Sequence, residues 1–283
     1  MKSYAFRIVN VFAEERLGGN PLAVFEDARG IDDAIMQALA LQFNLSETTF
    51  ILPSTAATAQ VRIFTPTFEM PFAGHPTLGT AHVLRSLRGG DELSLEMRAG
   101  VIPVSASADR WTLHANAPRA RPVAASREQL AAMLGLDASD IGAKPLWVDT
   151  GSEQLVIPLA GAAAVRRCRP KPELMLEHAT AGPAGDGSRS MAYVWAELAA
   201  DAALVRFFFM KQGAVVEDPG TGSACANLGG WLIATGAARP RRLTLSQGEA
   251  VRRPCRLGLE VDAQDRIFVS GRVVELGRGT IEL

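Results

Sequence analysis

The sequence repeats itself, and that repetition constrains its fold more than any other feature. Val61-Arg62-Ile63-Phe64 resembles Val205-Arg206-Phe207-Phe208, and the same shift of 144 positions sets Thr77 on Thr221, Ala81 on Cys225 and Leu84 on Leu228. One shift shared by a strand, a loop and a helix start implies two halves of one design. A length of 283 residues suits two cores, because single cores seldom grow beyond about 250 residues. The halves are expected at 1–119, where a last strand at 275–283 can also pack, and at 120–274. Pro118, Pro122 and Ala-rich sequence break the strand pattern between Arg119 and Ser126. True repeats related by a pseudo-twofold axis would bring corresponding loops toward one cleft, the place to look for chemistry.

Runs rich in β-branched and aromatic residues predict strands at Tyr4 to Phe12, Leu22 to Phe25, Thr48 to Leu52, Val61 to Phe64, Leu93 to Met97 and Trp111 to His114. The second half repeats the habit at Leu146 to Asp149, Leu155 to Leu159, Met191 to Ala196, Leu204 to Met210, Leu243 to Ser246, Leu257 to Val261 and Ile267 to Val269. Helices are few and well marked. Asp32 or Asp33 opens one that Asn44 stops, Pro76 begins one that ends at Gly89-Gly90, and Ser126 with Gln129 forms a capping box ahead of Gly135. Pro219 or Thr221 opens the last, ending at Gly236. Many strands with one long, small-residue-rich helix per half predict an α+β fold, each half a curled sheet or barrel around a central helix.

Charge excludes some partners. With 29 basic and 30 acidic residues, nothing electrostatic selects nucleic acid or an anionic membrane, and a small-molecule partner fits better. Met1 to Arg16 is broken by Arg7, Asn10 and Glu14, unlike a signal or transit peptide. Leu198 to Met210 is cut by Asp201 and Arg206, short of the roughly 20 apolar residues that span a bilayer. Cys168, Cys225 and Cys255 lack CxxC spacing and the chain has four His residues, so neither disulfides nor a metal site is expected. A soluble, cytoplasmic protein is the resulting expectation.

Two loops combine glycine, proline and hydroxyl residues just before apolar helices. The first runs Glu69-Met70-Pro71-Phe72-Ala73-Gly74-His75-Pro76-Thr77-Leu78-Gly79-Thr80, and the second Glu217-Asp218-Pro219-Gly220-Thr221-Gly222-Ser223-Ala224. Glycine admits close approach of a ligand, and the unpaired N–H groups of a helix start attract a carboxylate or phosphate. Either loop taken singly reads as a well-capped helix, with His75 and Asp218 as caps; as a repeated pair they read as an anion trap. Glu47, opening the strand Thr48 to Leu52, reads locally as a solvated strand end, whereas in a dry cleft it could take and return a proton. Cys225 is either a thiol activated near a helix start or a small core residue, and the second fits an apolar helix better. The Gly220-Thr221-Gly222 stretch lacks the lysine of a P-loop.

The stretches Asn10-Val11-Phe12 with Gly19-Asn20-Pro21-Leu22-Ala23-Val24, then Asn44-Leu45-Ser46-Glu47-Thr48, Phe64-Thr65-Pro66 leading to Gly74-His75-Pro76-Thr77, and Glu217-Asp218-Pro219 to Thr221-Gly222-Ser223-Ala224 resemble, in order, the motif series of the PhzF family. The resemblance implies a diaminopimelate-epimerase-like fold of two pseudo-symmetric domains with the active site between them, no cofactor, and a homodimer. It also implies Glu47, His75 and Asp218 as catalytic residues, with Asn20, Gly74, Gly220, Thr221, Gly222 and Ser223 binding substrate. Related epimerases use two cysteines, one per loop; here Ala73 and the Asp218-Pro219 pair are expected in those places, which disfavours a two-thiol racemase.

The activity expected is a cofactor-independent isomerisation in which Glu47 shifts a proton on a small carboxylate-bearing substrate. Alternatives are a non-catalytic ligand- or partner-binding protein on the same fold, or an epimerase. Specificity is expected on the loops Ala13 to Gly19, Thr150 to Gln154 and Gly182 to Ser190.

Overall fold

A computed structural model describes residues 1–182 and 189–283; most of the expected specificity loop Gly182 to Ser190 therefore lies outside the described residues. The chain divides into two compact units, residues 1–114 with 270–283, and residues 115–269. No helix among the described residues is long and apolar enough to cross a membrane.

The first unit contains β1 (Ser3–Val11), β2 (Asn20–Phe25), α1 (Asp33–Phe43), β3 (Glu47–Leu52), β4 (Ala59–Phe64), β5 (Glu69–Met70), α2 (Gly74–Arg88), β6 (Glu92–Met97), β7 (Gly100–Ser107) and β8 (Arg110–His114). The second contains β9 (Arg119–Pro122), α3 (Arg127–Leu134), β10 (Leu146–Asp149), β11 (Glu153–Pro158), α4 (Ala162–Arg167), α5 (Pro172–His178), β12 (Met191–Ala199), β13 (Ala202–Lys211), β14 (Ala214–Asp218), α6 (Gly222–Ala234), β15 (Arg241–Gln247) and β16 (Cys255–Val261). A final strand, β17 (Ile267–Glu282), belongs to the first unit from Ser270 onward.

In the first unit β1 joins β2, β2 runs parallel to β3, and β3, β4, β6, β7 and β8 follow in turn. The ring closes through β17, which pairs with both β1 and β8. Helix α2 fills this barrel, touching β1, β2, β3, β6 and β8. Gly74 through Ala81 are all buried, as expected of a helix without a polar face. A β-carbon on Gly79 would come within 2.6 Å of Leu22 Cδ2, so glycine sets how closely the helix approaches β1 and β2. In the second unit α6 lies against β9, β10, β11 and β16. Gly230 plays the matching part, its absent β-carbon leaving room for Pro118 and Val148.

Outside the barrel of the first unit, α1 covers Phe25, Phe50 and Phe64 with Met36 and Leu39. Its ends follow the expected signals: Asp32 accepts from the Ile35 N–H at 2.8 Å, and Asn44 adopts a left-handed conformation at φ 50°. The Ser126–Gln129 capping box and Gly135 bound α3 likewise. Two short helices, α4 and α5, and the strands β5, β7, β9 and β14 are not among the expected elements. Six or seven residues are too few for a helical period, and β7 contains Gly100, Pro103 and three serine or alanine positions that weaken a strand pattern.

The internal repeat is physical, but its register changes partway. Arg62 on β4 grips Glu69 on β5 with two parallel bonds of 2.8 Å, and Arg206 on β13 grips Glu217 on β14 at 3.1 and 2.7 Å. Phe64 pairs with Glu69 and Phe208 with Glu217. The helices, however, begin at Gly74 and Gly222, 148 positions apart rather than 144. The β13–β14 hairpin extends to Lys211 and Ala214 around the left-handed pair Gln212-Gly213, which absorbs the four extra residues. The expected match of Thr77 with Thr221 is thereby corrected: Thr221 is the equivalent of Ala73, each the N-cap of its helix, and Ser223 is the equivalent of His75.

Both members of the Arg206–Glu217 pair are under a tenth exposed, and Arg206 also donates to the carbonyls of Val165, Arg166 and Cys168 at the end of α4. Arg206→Met strands the buried Glu217 carboxylate and should lower the unfolding free energy by about 3–5 kcal/mol in denaturant titration. A loss below about 1 kcal/mol would show the pair to be dispensable.

Candidate functional site

Strand alternation delivers Glu47. Along β3, Glu47 and Thr49 fall on one face, and Thr49 Oγ1 meets Thr80 Oγ1 of α2 at 2.8 Å, so that face looks onto the central helix. On β2, Asn20 and Leu22 share a face, and Leu22 packs on α2 at Gly79. The parallel register sets Leu22 beside Glu47. Asn20 and Glu47 therefore both reach the first turn of α2, where His75 stands.

The structure brings these three side chains together. His75 Nε2 lies 3.2 Å from Glu47 Oε2, and His75 Nδ1 lies 3.3 Å from Asn20 Nδ2. Asn20 is wholly buried, the His75 side chain is 6% exposed and that of Glu47 is 15% exposed. Burial pushes the His75 pKa down to about 3, against a weaker opposing pull from a hydrogen bond to the Pro21 backbone. The ring is thus neutral, and its contact with Glu47 is not an ion pair. It also lacks hydrogen-bond alignment at Nε2, a looseness common where no substrate is bound. A neutral imidazole offers one N–H and one lone pair. At Nε2 the ring can donate to an ionised Glu47 in one tautomer and accept from a protonated Glu47 in the other.

Gly74 opens α2 beside this pair, one position later than the N-cap Ala73 and two before the expected Pro76. Ala73 brings no capping side chain and the first turn holds no acidic residue, so the partial positive charge of the helix start is left for an anion. Thr77 turns back instead, donating to the Ala73 carbonyl at 2.7 Å.

The second unit assembles the other expected residues at the start of α6. Asp218 ends β14, Gly220 and Gly222 are buried, and Thr221 is the N-cap. The Thr221 hydroxyl donates to Asp218 Oδ2 rather than capping the helix. Ser223 Oγ accepts from Gln154 Nε2 at 3.0 Å, and Gln154 Oε1 accepts from Asn227 Nδ2 at 2.9 Å. Asn227 Oδ1 in turn accepts from Thr150 at 2.7 Å. Thr150 and Gln154, expected on a specificity loop, are buried and tied to α6. Gln247 and Asn227 are not singled out by the sequence. Period-two alternation along Leu243, Leu245 and Gln247 would have placed Gln247 on the buried face of β15. Cys225 is fully buried, and desolvation raises its thiol well above the usual range; the core-residue reading is the right one.

The family profile described as phenazine biosynthesis-like protein matches residues 9–279. An uncharacterized isomerase of Pasteurella multocida is 42% identical, over 98% of this chain and 94% of its own. The trans-2,3-dihydro-3-hydroxyanthranilate isomerase of Pseudomonas chlororaphis is 34% identical over 98% of each chain. A crystal structure of a PhzF-family protein of Bacillus anthracis superposes with a TM-score of 0.85 over the full length of both chains at 22% identity, a likeness of fold. The α+β architecture, helix-filled barrel and few helices are of the diaminopimelate-epimerase type.

A buried neutral histidine links stability to pH. The unfolded ring takes up a proton near pH 6.5 while the folded one does not until about pH 3, so its contribution is complete above about pH 6.5 and is lost as pH falls through that window. The slope is at most about 1.4 kcal/mol per pH unit. Urea unfolding across this range should show a shallower slope for His75→Asn than for the wild type; equal slopes would mean that the folded ring titrates normally.

Proposed function

Since the chain belongs to the phenazine biosynthesis-like (PhzF) family and is an isomerase, we propose that it shifts a proton within a small carboxylate-bearing substrate, with Glu47 as the carrier. The observation that carries this reading is the Glu47 carboxyl beside a neutral, buried His75. In the first half of the reaction the ionised carboxyl takes a proton from a carbon acidified by conjugation or an adjacent carbonyl. In the second it returns that proton to another carbon of the same molecule. Net charge and proton count are unchanged, and no step calls for a cofactor.

His75 stays neutral throughout, its Nε2 donating to the ionised Glu47 while Nδ1 accepts from Asn20 Nδ2. The backbone of Gly74 and the start of α2 stabilise negative charge. In the second unit, Asp218 assists proton handling, while Gly220, Thr221, Gly222 and Ser223 bind the substrate at the start of α6. Asn20 orients the imidazole through its 3.3 Å contact. The N-cap positions Ala73 and Thr221 supply no thiol, and Cys225 is buried, so a two-cysteine epimerisation has no residues to run on.

The activity of the Pseudomonas relative supplies a probe. A general acid/base group contributes roughly 10²–10⁴-fold in rate, so Glu47→Gln should lose turnover of trans-2,3-dihydro-3-hydroxyanthranilate on that scale. Deuterium incorporation from heavy water follows the reaction, and isothermal titration checks that binding survives. Undiminished incorporation in the variant would remove Glu47 from the mechanism. Binding without exchange in the wild type would favour a non-catalytic ligand-binding role.

A further inference from the structure

The geometry points to Gln247 as the positioning residue for the Asp218 carboxyl, an inference that rests on the proton-handling role proposed above for Asp218. Gln247 is wholly buried at the end of β15. Its Oε1 accepts from the Thr221 N–H at 3.2 Å, and its Nε2 donates to the Asp218 carbonyl at 2.9 Å and to Thr221 Oγ1 at 3.0 Å. With its lone pair engaged by Gln247, the Thr221 hydroxyl is directed to donate to Asp218 Oδ2. One amide thus fixes the backbone on both sides of the Pro219-Gly220 turn and, through the Thr221 hydroxyl, one direction from which the carboxyl is held.

The next residue contributes independently. Gly248 has φ +81°, and a β-carbon there would lie 2.5 Å from the Pro219 carbonyl oxygen and 2.2 Å from that of Arg253. The turn carrying Asp218 rests directly on this glycine. The end of β15 is therefore a cradle shaped to the loop before α6.

The internal repeat shows that the architecture itself does not require this amide. In the parallel pairing of β4 with β6, Ala59 stands beside Leu95; in that of β13 with β15, Ala203 stands beside Leu245. Two residues on, Met97 in the first unit occupies the place of Gln247 in the second. Met97 is buried and meets α2 through a 3.6 Å contact between its sulfur and the Thr77 hydroxyl. The same fold closes with a thioether in one half and a fully hydrogen-bonded amide in the other. The amide occurs in the half that carries the aspartate, where its three bonds all end on Asp218 or Thr221.

Gln247→Met, which installs the residue the fold already uses at the matching place, is the direct test. In protein labelled with carbon-13 at aspartate carboxyl carbons, the Asp218 resonance is identified by its loss in Asp218→Asn. That resonance should move in Gln247→Met and in Thr221→Val, and the double variant should move it no further than the larger single change. Turnover of trans-2,3-dihydro-3-hydroxyanthranilate should show kcat reduced roughly tenfold to a hundredfold with KM little altered, the mark of misplacement rather than lost binding. Gln247→Glu, equal in size but drawing the Thr221 hydroxyl to itself, should also move the Asp218 resonance. An Asp218 resonance unmoved in both single variants overturns the inference whether or not the probe is turned over. A moved resonance in a protein whose wild type exchanges no deuterium supports the positioning and counts against the proton-shift reading instead.

Discussion

The Glu47–His75 cluster depends on one constraint: a carboxyl and an imidazole held in contact without becoming an ion pair. Had His75 been solvated enough to ionise, Glu47 would face a fixed positive charge that holds it as a weakly basic carboxylate. Burial within the barrel prevents this, because an imidazolium there would lose its hydration without adequate compensation. The 15% exposure of the Glu47 side chain leaves the carboxyl an opening on one side while the ring keeps to the interior.

That environment follows from how the barrel is filled. A helix buried on all sides needs small residues where strands cross it, and Gly79 supplies one against Leu22. Bringing β2 this close brings Asn20 close too, and the parallel neighbour β3 adds Glu47 at the same level. The polar cluster thus sits beside this close helix–strand packing. Thr49 and Thr80 pair with each other deeper along the same face, so the buried Thr49 hydroxyl is matched to the helix rather than left to water. The second unit builds the start of α6 from other materials: a hydrogen-bonded chain of Thr150, Asn227, Gln154 and Ser223, and the amide of Gln247.

The sequence reveals the outline of this arrangement more readily than its interior. Caps such as Asp32, Asn44 and Ser126 act through their own neighbours, so their meaning is local and legible. The Arg–Phe strand motif is legible for the same reason, although the Arg–Glu grip it makes with the next strand is not. The register of the two helix starts was misjudged because a two-residue hairpin turn, Gln212-Gly213, changes the spacing by four without disturbing either motif. Gln247 was overlooked because a glutamine in a strand resembles ordinary surface polarity; only the alternation of burial along β15, which places Gln247 with Leu243 and Leu245, separates the two cases. Glu47 is the reverse example. Its local sequence suggests an exposed strand end, and what distinguishes it is the parallel register with β2 and the helix behind it, neither of which a single strand encodes.

Neutron diffraction from crystals of the deuterated protein near neutral pH bears most directly on the Glu47–His75 pair, since it locates the exchangeable hydrogens themselves. A neutral His75 ring will show one deuteron, with the other nitrogen bare. Deuterons on both nitrogens, facing an ionised Glu47 carboxylate, would contradict it, for the pair would then be a salt bridge and the carboxyl no longer free to exchange a proton with a substrate.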